Sequence, residues 1–345
     1  MFLLFISYIF YGWWDGRYLG LIAFSSLVDY VVGKRLVTTS NTIHKKLLLG
    51  LSLSVNIGLL AIFNYLNFFV ESFVEAFSVF GFQLHYFSLS IILPVGISFY
   101  TFQTLSYTID VYRYRIKPSD NIVEFFAYVS FFPQLVAGPI ERAGNLLPQF
   151  QMPRSFNPGL ATSGLRLILW GMFKKVVIAD NCALFVDSVF QNYHKFDGIT
   201  LILGAVLFAF QIYGDFSGYS DIAIGTARLL GFKLMRNFNY PYFARDIAEF
   251  WRRWHISLTT WFRDYLYIPL GGSRVSHPLV IRNVVIIFLV SGLWHGANWT
   301  FVFWGLLNAL YFLPLLFTKR NRRNLGDIGE GFTVPFSTLI SIALT

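Results

Sequence analysis

Two histidines sit where an ionisable side chain is expensive. His295 lies in the run IIFLVSGLWHGANWTFVFWG, apolar on both sides and flanked by Gly292 and Gly296. A titratable group at membrane depth marks a functional site by default; the plainer reading is a neutral histidine that hydrogen-bonds a neighbouring helix. A neutral imidazole can take a proton from an attacking hydroxyl or thiol near neutral pH. The adjacent glycines would let a ligand or a second backbone come close. His255 lies in FWRRWHISLTTWF. Drawn as one helix, Phe250, Trp251, Trp254, Leu258, Trp261, Phe262 and Tyr265 share an arc of about 120°, with Arg252 and Arg263 opposite and His255 at its edge. That pattern predicts either an amphipathic helix lying along the cytoplasmic interface, with His255 on its rim, or a helix that turns His255 into a cavity beneath it.

The surrounding stretch, 211–274, is unusually charged. Arg228, Lys233, Arg236, Arg245, Arg252, Arg253, Arg263 and Arg274 stand against Asp215, Asp221, Asp246, Glu249 and Asp264. Charge this dense belongs at an interface or along a wet cavity. Asp215 and Asp221 are six residues apart, so on a helix they point in different directions and do not make a simple ligand pair. They are expected either to hydrogen-bond loops, Ser217 or an arginine, or to line the site. There is no HExxH, GxSxG, P-loop or GxGxxG motif, which argues against a self-contained metalloprotease, serine hydrolase or nucleotide-driven pump. The single cysteine, Cys182, excludes an internal disulfide framework and any multi-cysteine zinc site, and no metal centre is expected. A histidine in a membrane core beside a basic cytoplasmic mouth suits a phosphorylated acyl carrier, a coenzyme A or phosphopantetheine thioester.

The elements that must position these residues are membrane helices. Hydrophobic residues make up 55% of the 345 and charged residues 13%, against about 25% charged in soluble domains. No soluble core hides that much apolar surface at this length. The net charge of +9 comes from basic residues between apolar runs, the positive-inside pattern rather than a nucleic-acid footprint. Runs long enough to span predict helices near 1–14, 17–33, 47–66, 89–109, 121–138, 164–190, 199–216, 279–296 and 298–317. Shorter stretches near 68–88, 217–232 and 240–270 read as re-entrant or interfacial. The basic loops at 34–46, 113–117 and 319–323 are expected in the cytoplasm, and the loop at 67–88, with Glu71, Glu75 and no Lys or Arg, outside. Met1 opens directly into an apolar run and VPFSTLISIALT at 334–345 is too short to span; a fragment lacking both ends is expected. There is no internal repeat of the kind often found in transporters.

The runs NFNYPYFARDIAEFWRRWHISLTTWFRDYLYIPLGG at 237–272 and GLWHGANWTFVFWG at 292–305 resemble the membrane-bound O-acyltransferase superfamily. The nearest branch is the bacterial one that holds the alginate O-acetylation membrane subunit. YGWWDGRYL, LPVGISFYTFQTLSYTIDVYR, FFPQLVAGPIER and QIYGDFSGYSD are similar to the same branch, so the likeness covers nearly the whole chain. It implies an all-α, polytopic fold of about ten membrane helices with re-entrant segments around a central tunnel, one domain over 1–345. Its two signature positions match His255 and His295, which are then the catalytic pair. Asn308 stands where many relatives carry a histidine. The resemblance implies transfer of an acyl group, acetyl first, from acetyl-CoA or a phosphopantetheine carrier across the bacterial plasma (inner) membrane. An extracytoplasmic acetylesterase-like partner would then modify a polysaccharide. No cofactor is bound in this reading, and lipid, not nucleic acid, surrounds the protein. Arg252, Arg253, Arg263, Trp251, Trp254, Asp215, Asp221, Trp294 and Asn298 are assigned to substrate binding. Transfer of D-alanine to teichoic acid, a non-catalytic scaffold of a polysaccharide-export complex, and a transporter are the alternatives.

Overall fold

The computed structural model describes residues 1–82 and 93–324. Among them every regular element is helical. In chain order these are α1 (Phe2–Trp14), α2 (Arg17–Thr38), α3 (Thr42–Leu60), α4 (Leu66–Val79), α5 (Ile97–Tyr112), α6 (Ile122–Val129), α7 (Phe132–Leu135), α8 (Ala143–Gln151), α9 (Pro158–Met172), α10 (Asp180–Gln191), α11 (Gly198–Leu229), α12 (Ile247–Arg253), α13 (Ile256–Phe262), α14 (His277–His295) and α15 (Trp299–Phe317). Starts are set by side chains that accept orphan N–H groups: Asn41 for α3, Asn121 for α6, Asn157 before Pro158 for α9, Asp197 for α11 and Asp246 for α12.

Among the described residues four helical stretches are long and apolar enough to cross a membrane: Thr42–Val79, Gly198–Leu229, His277–His295 and Trp299–Phe317. Three segments of the chain, two of these stretches and the α12–α13 region, differ from the sequence expectation. The segment expected as an outer loop at 67–88 is helical as far as Val79, because a π-helical turn at Ala61–Tyr65 carries α3 into α4 without a break; residues 83–92 lie outside the described part. The interruption expected after residue 216 does not occur, and α11 runs unbroken to Leu229. The expected single helix through FWRRWHISLTTWF is broken. His255 takes φ 42° and ψ 54°, a left-handed conformation that cannot continue a right-handed helix, so α12 and α13 meet at a corner. The run at 334–345 lies outside the described residues.

The described residues form two compact units, one within 1–136, 142–152 and 284–307, the other within 137–141, 153–283 and 308–324. In the first, α2, α3 and α5 are tied by a buried polar knot. The Asp29 carboxylate accepts from Ser52 (2.5 Å), Asn56 (2.8 Å) and Thr108 (3.1 Å), and the Asn56 amide oxygen accepts from Ser25 (2.8 Å) and Thr104 (3.1 Å). All six side chains are buried, and each polar atom finds its partner inside the helix bundle, as a water-free interior demands. The basic segments at 34–46 and 113–117 meet: Lys45 donates to the Tyr114 hydroxyl, and Lys34 pairs with Asp120 (2.5 Å), just beyond the second segment. Those two loops therefore share one side.

In the second unit α9 and α11 pack antiparallel through glycines. A Cβ at Gly164 would meet the Gly225 carbonyl at 2.7 Å, and one at Gly171 the Gly218 carbonyl at 2.6 Å. Only glycine allows backbones this close, the small-residue contact that drives membrane helix pairing.

Candidate active site

His295 is the last residue of α14, half-buried, where the chain turns through 296–298 into α15. Two indoles flank its ring. Trp294 lies 5.0 Å away at 80° and Trp304 5.1 Å away at 85°, both edge to face. The Trp294 ring in turn packs on Phe99 (5.6 Å) and Phe102 (6.0 Å) of α5. The turn is as tight as glycine permits: a Cβ at Gly292 would strike the Phe301 carbonyl, one at Gly296 the Phe301 ring, and one at Gly305 the Phe288 carbonyl. Asn298 caps α15, its side-chain oxygen accepting from the Thr300 N–H (2.9 Å) and hydroxyl (3.0 Å). At the end of α14, where carbonyls lose their helical partners, the Tyr65 hydroxyl donates to the Leu293 carbonyl at 2.8 Å. The Trp299 indole N–H donates to Ser72 at 3.0 Å. Tyr65 comes from the π-turn, inside the helix expected near 47–66, and Ser72 from α4, in the stretch expected as outer loop. The result is an imidazole held in an aromatic slot by backbone that has no room to shift.

His255 is in the other unit and is 1% exposed. The rim position considered from the helical stripe is not the one it takes. Its ring lies edge-on to Phe216 (4.7 Å, 85°) and parallel to Phe238 (6.4 Å, 11°). Trp254 packs against Phe238 (5.1 Å) and Phe250 (5.5 Å), and Trp251 against Phe250 (5.3 Å). Two of the three tryptophans assigned to substrate binding, Trp251 and Trp254, are thus part of a buried aromatic cluster with Phe238 and Phe250, while the third, Trp294, flanks His295.

The arginines assigned to the donor have protein partners. Arg252 donates to the carbonyls of Asn321 (3.0 Å) and Asn324 (2.9 Å), and Asn324 donates to Asp246 (2.7 Å), which staples the turn at 320–324 onto α12. Arg253 is bound to Glu249, and Arg245 reaches the same carboxylate at 3.0 Å. Burial pushes the Glu249 carboxyl up, but hydrogen bonds from Arg245 and Arg253 outweigh it and hold the group below the usual carboxylate range. Among the described residues Arg263 pairs with its neighbour Asp264 (2.8 Å) alone and stays 59% exposed, the most available of the three. Asp215 and Asp221 find lysines rather than the arginines weighed from the sequence. Asp221 takes Lys174 at 2.6 Å and Asp215 takes Lys175 at 2.7 Å; Lys174 also donates to Ser217 at 2.9 Å.

Sequence reasoning missed Lys174, Lys175 and Asp29. Each announces itself as a charge inside an apolar run, the same signal that singled out His295. It also missed Asn237, which bridges Ser220 and Ser257 and carries no such signal. No group of three or more His, Cys, Asp or Glu side chains that could hold a metal ion occurs among the described residues.

The comparisons with known proteins agree with one another. The chain is 44% identical over 304 residues to a probable alginate O-acetylase of Azotobacter vinelandii, covering 88% of this chain and 60% of that protein. It is 38% identical over 336 residues to a peptidoglycan O-acetyltransferase of Helicobacter pylori, covering 90% and 63%. A teichoic acid D-alanyltransferase of Bacillus subtilis is 26% identical over 243 residues, covering 66% and 60%. The chain thus spans about 60% of the length of the curated relatives it matches. The family profile for membrane-bound O-acyltransferases matches residues 110–340, which includes both histidines and the whole charged stretch. With its apolar helices and that match, the chain is a multi-pass membrane protein and belongs to the membrane-bound O-acyltransferase family.

Proposed function

We propose that this protein transfers an acetyl group from a cytoplasmic thioester toward a polysaccharide hydroxyl outside the bacterial plasma (inner) membrane. The observation that carries the reading is His295, an imidazole set between Trp294 and Trp304 in a glycine-lined turn at the end of a membrane-spanning helix. Similarity to O-acetylases of alginate and peptidoglycan supports acetyl as the group and a polysaccharide as its destination.

His295 takes the proton from the attacking hydroxyl as its oxygen bonds to the thioester carbonyl carbon. The tetrahedral intermediate collapses with loss of the carbon–sulfur bond, and the proton passes to the departing thiolate. No redox partner or bound cofactor enters; acetyl-CoA or a phosphopantetheine carrier is a substrate. The basic residues of the charged stretch, Arg263 foremost, attract its phosphates. Trp294 and Asn298 shape the turn that carries His295, and in the other unit Trp251, Trp254, Asp215 and Asp221 are assigned to substrate binding, with His255 in a supporting role. In this reading residues 1–345 belong to one membrane domain of about ten helices around a tunnel, and an acetylesterase-like partner passes the acetyl from the ester so formed to a polysaccharide hydroxyl outside, releasing the first hydroxyl. D-alanyl transfer is the second reading, favoured by the Bacillus subtilis relative.

The test is His295→Ala in the intact protein, with acyl ester released from the surface polysaccharide and an immunoblot of the membrane fraction as readouts. General acid–base groups contribute about 10²–10⁴-fold, so ester should fall below about 1% of the parent at normal protein level. Near-normal acylation by a normally inserted His295→Ala protein ends the catalytic reading and favours a scaffold. The identity of the released group, acetate or D-alanine, separates the first reading from the second.

A further inference from the structure

The corner between α12 and α13 is built from two short segments, 237–243 and 253–257, pinned to one another. The Asn239 N–H donates to the Arg253 carbonyl at 2.9 Å, and the Ile256 N–H to the Asn237 carbonyl at 2.8 Å. The Asn237 side chain, fully buried, accepts from the Ser257 N–H (3.2 Å) and hydroxyl (2.9 Å) and donates to Ser220 of α11 (3.0 Å). Each segment holds one non-glycine residue in the left-handed region: Tyr240 at φ 47° and His255 at φ 42°. Such residues persist only where the surroundings over-determine them, and they gather at functional sites. Two of them beside the same pair of backbone hydrogen bonds make this a strained clasp.

His255 is the keystone. Its left-handed backbone stops α12, starts α13 and aims the Ile256 and Ser257 N–H groups at Asn237. Its ring fills the slot between Phe216 and Phe238. At 1% exposure it has no open face for a thioester or a hydroxyl. We propose that His255 is a positioning residue for acyl transfer, supplying a left-handed corner and a ring that locks α11 to the α12–α13 clasp, and that it does not exchange a proton with the substrate. The activity arm of this inference rests on the acyl-transfer reading above.

The two possible roles separate by substitution. Asparagine and glycine are the residues most at ease in the left-handed region, and neither can act as a base near neutral pH. His255→Asn, His255→Gly and His255→Ala are compared in the intact protein. The readouts are kcat and KM for the thioester, the pH profile of kcat/KM, and the melting temperature of the detergent-purified protein. If His255 positions, His255→Asn keeps kcat within about tenfold, with a pH profile superimposable on the parent's. His255→Gly falls further because the ring is gone, and His255→Ala, which loses both ring and backbone preference, falls furthest and melts lowest. If the imidazole moves a proton, all three lose about 10²–10⁴-fold at normal melting temperature, and the proposal is overturned. Should the parent show no thioester-dependent transfer, the acyl-transfer reading has failed. The melting series then decides the corner alone: equal melting temperatures for Asn, Gly and Ala overturn it, and Ala below both supports it.

Discussion

The Tyr65 hydroxyl donates a 2.8 Å hydrogen bond to the carbonyl of Leu293, two residues before His295. One hydroxyl from a π-helical turn thereby caps the end of the helix that carries the candidate base. A net hydrogen bond is worth about 0.5–1.5 kcal/mol, and here it restrains orientation rather than the fold. Tyr65→Phe should lower kcat roughly 3- to 10-fold, in line with that energy, and leave the KM for thioester and the amount of inserted protein unchanged. A fall in inserted protein with kcat per molecule unaltered would make the contact purely structural.

The polar knot around Asp29 fixes α5, whose Phe99 and Phe102 wall the Trp294 side of the site. Removing the carboxylate strands Ser52, Asn56 and Thr108 together, each at about 1–3 kcal/mol. Asp29→Ala should reduce the melting temperature and the yield of folded protein severely. Asp29→Asn, which keeps one acceptor, should fall between Ala and the parent. Equal melting of all three would show the knot to be dispensable.

Arg252 and Arg263 should behave differently. Arg252 is spent on two backbone carbonyls, whereas among the described residues Arg263 has an exposed neighbour-pair that contributes little. Arg252→Ala should loosen the turn at 320–324, measurable as faster proteolysis or hydrogen exchange there. Arg263→Ala should raise the KM for the thioester, by about 10-fold or more if it meets a phosphate through a charge-assisted bond of ~1.5–3 kcal/mol. The reverse pattern would reassign the two residues.

Glu249 gives a pH dependence with a definite sign. Its carboxyl titrates below the usual range in the folded protein because Arg245 and Arg253 bind its charged form. The stability it contributes is complete above the unfolded value, about 4.3, and is lost as pH falls through the lower folded value. Between about pH 5 and pH 3 the parent's melting temperature should therefore drop more steeply than that of Glu249→Gln. The variant should also be less stable at pH 7, since it leaves a buried arginine without its charge partner, a loss of roughly 3–5 kcal/mol for such pairs. Parallel melting curves across that range would remove Glu249 from the ledger of acid sensitivity.

Much of this protein was legible before any coordinates. The apolar runs ending at Trp14, beginning near 164, and spanning 279–296 and 298–317 correspond to helices, because burial in lipid demands long apolar segments and composition reports that directly. His295 was legible for the complementary reason: a titratable residue between such runs is too costly to be idle. Length and break points were less so. Glu71 and Glu75 read as loop, yet α4 runs past both, since a few charges at a helix end are tolerated near an interface. The stretch 217–232 read as re-entrant or interfacial, yet α11 runs on to Leu229, with Lys174 and Lys175 neutralising the aspartates on either side of residue 217.

Sequence by itself determined the solvent of this protein, its helical class and the histidine most worth substituting, all consequences of which groups lipid will accept. Tertiary structure alone decided who meets whom. It turned the stripe of FWRRWHISLTTWF into a corner, because the clasp formed by Asn237, Ser220 and Ser257 stabilises a left-handed His255 that local propensity disfavours. It gave Arg252 and Arg253 to protein partners, because a guanidinium away from water must find acceptors wherever the packing supplies them. Periodicity records which face of a helix is apolar; it holds no information on which distant side chain will satisfy a charge, and that was settled by packing.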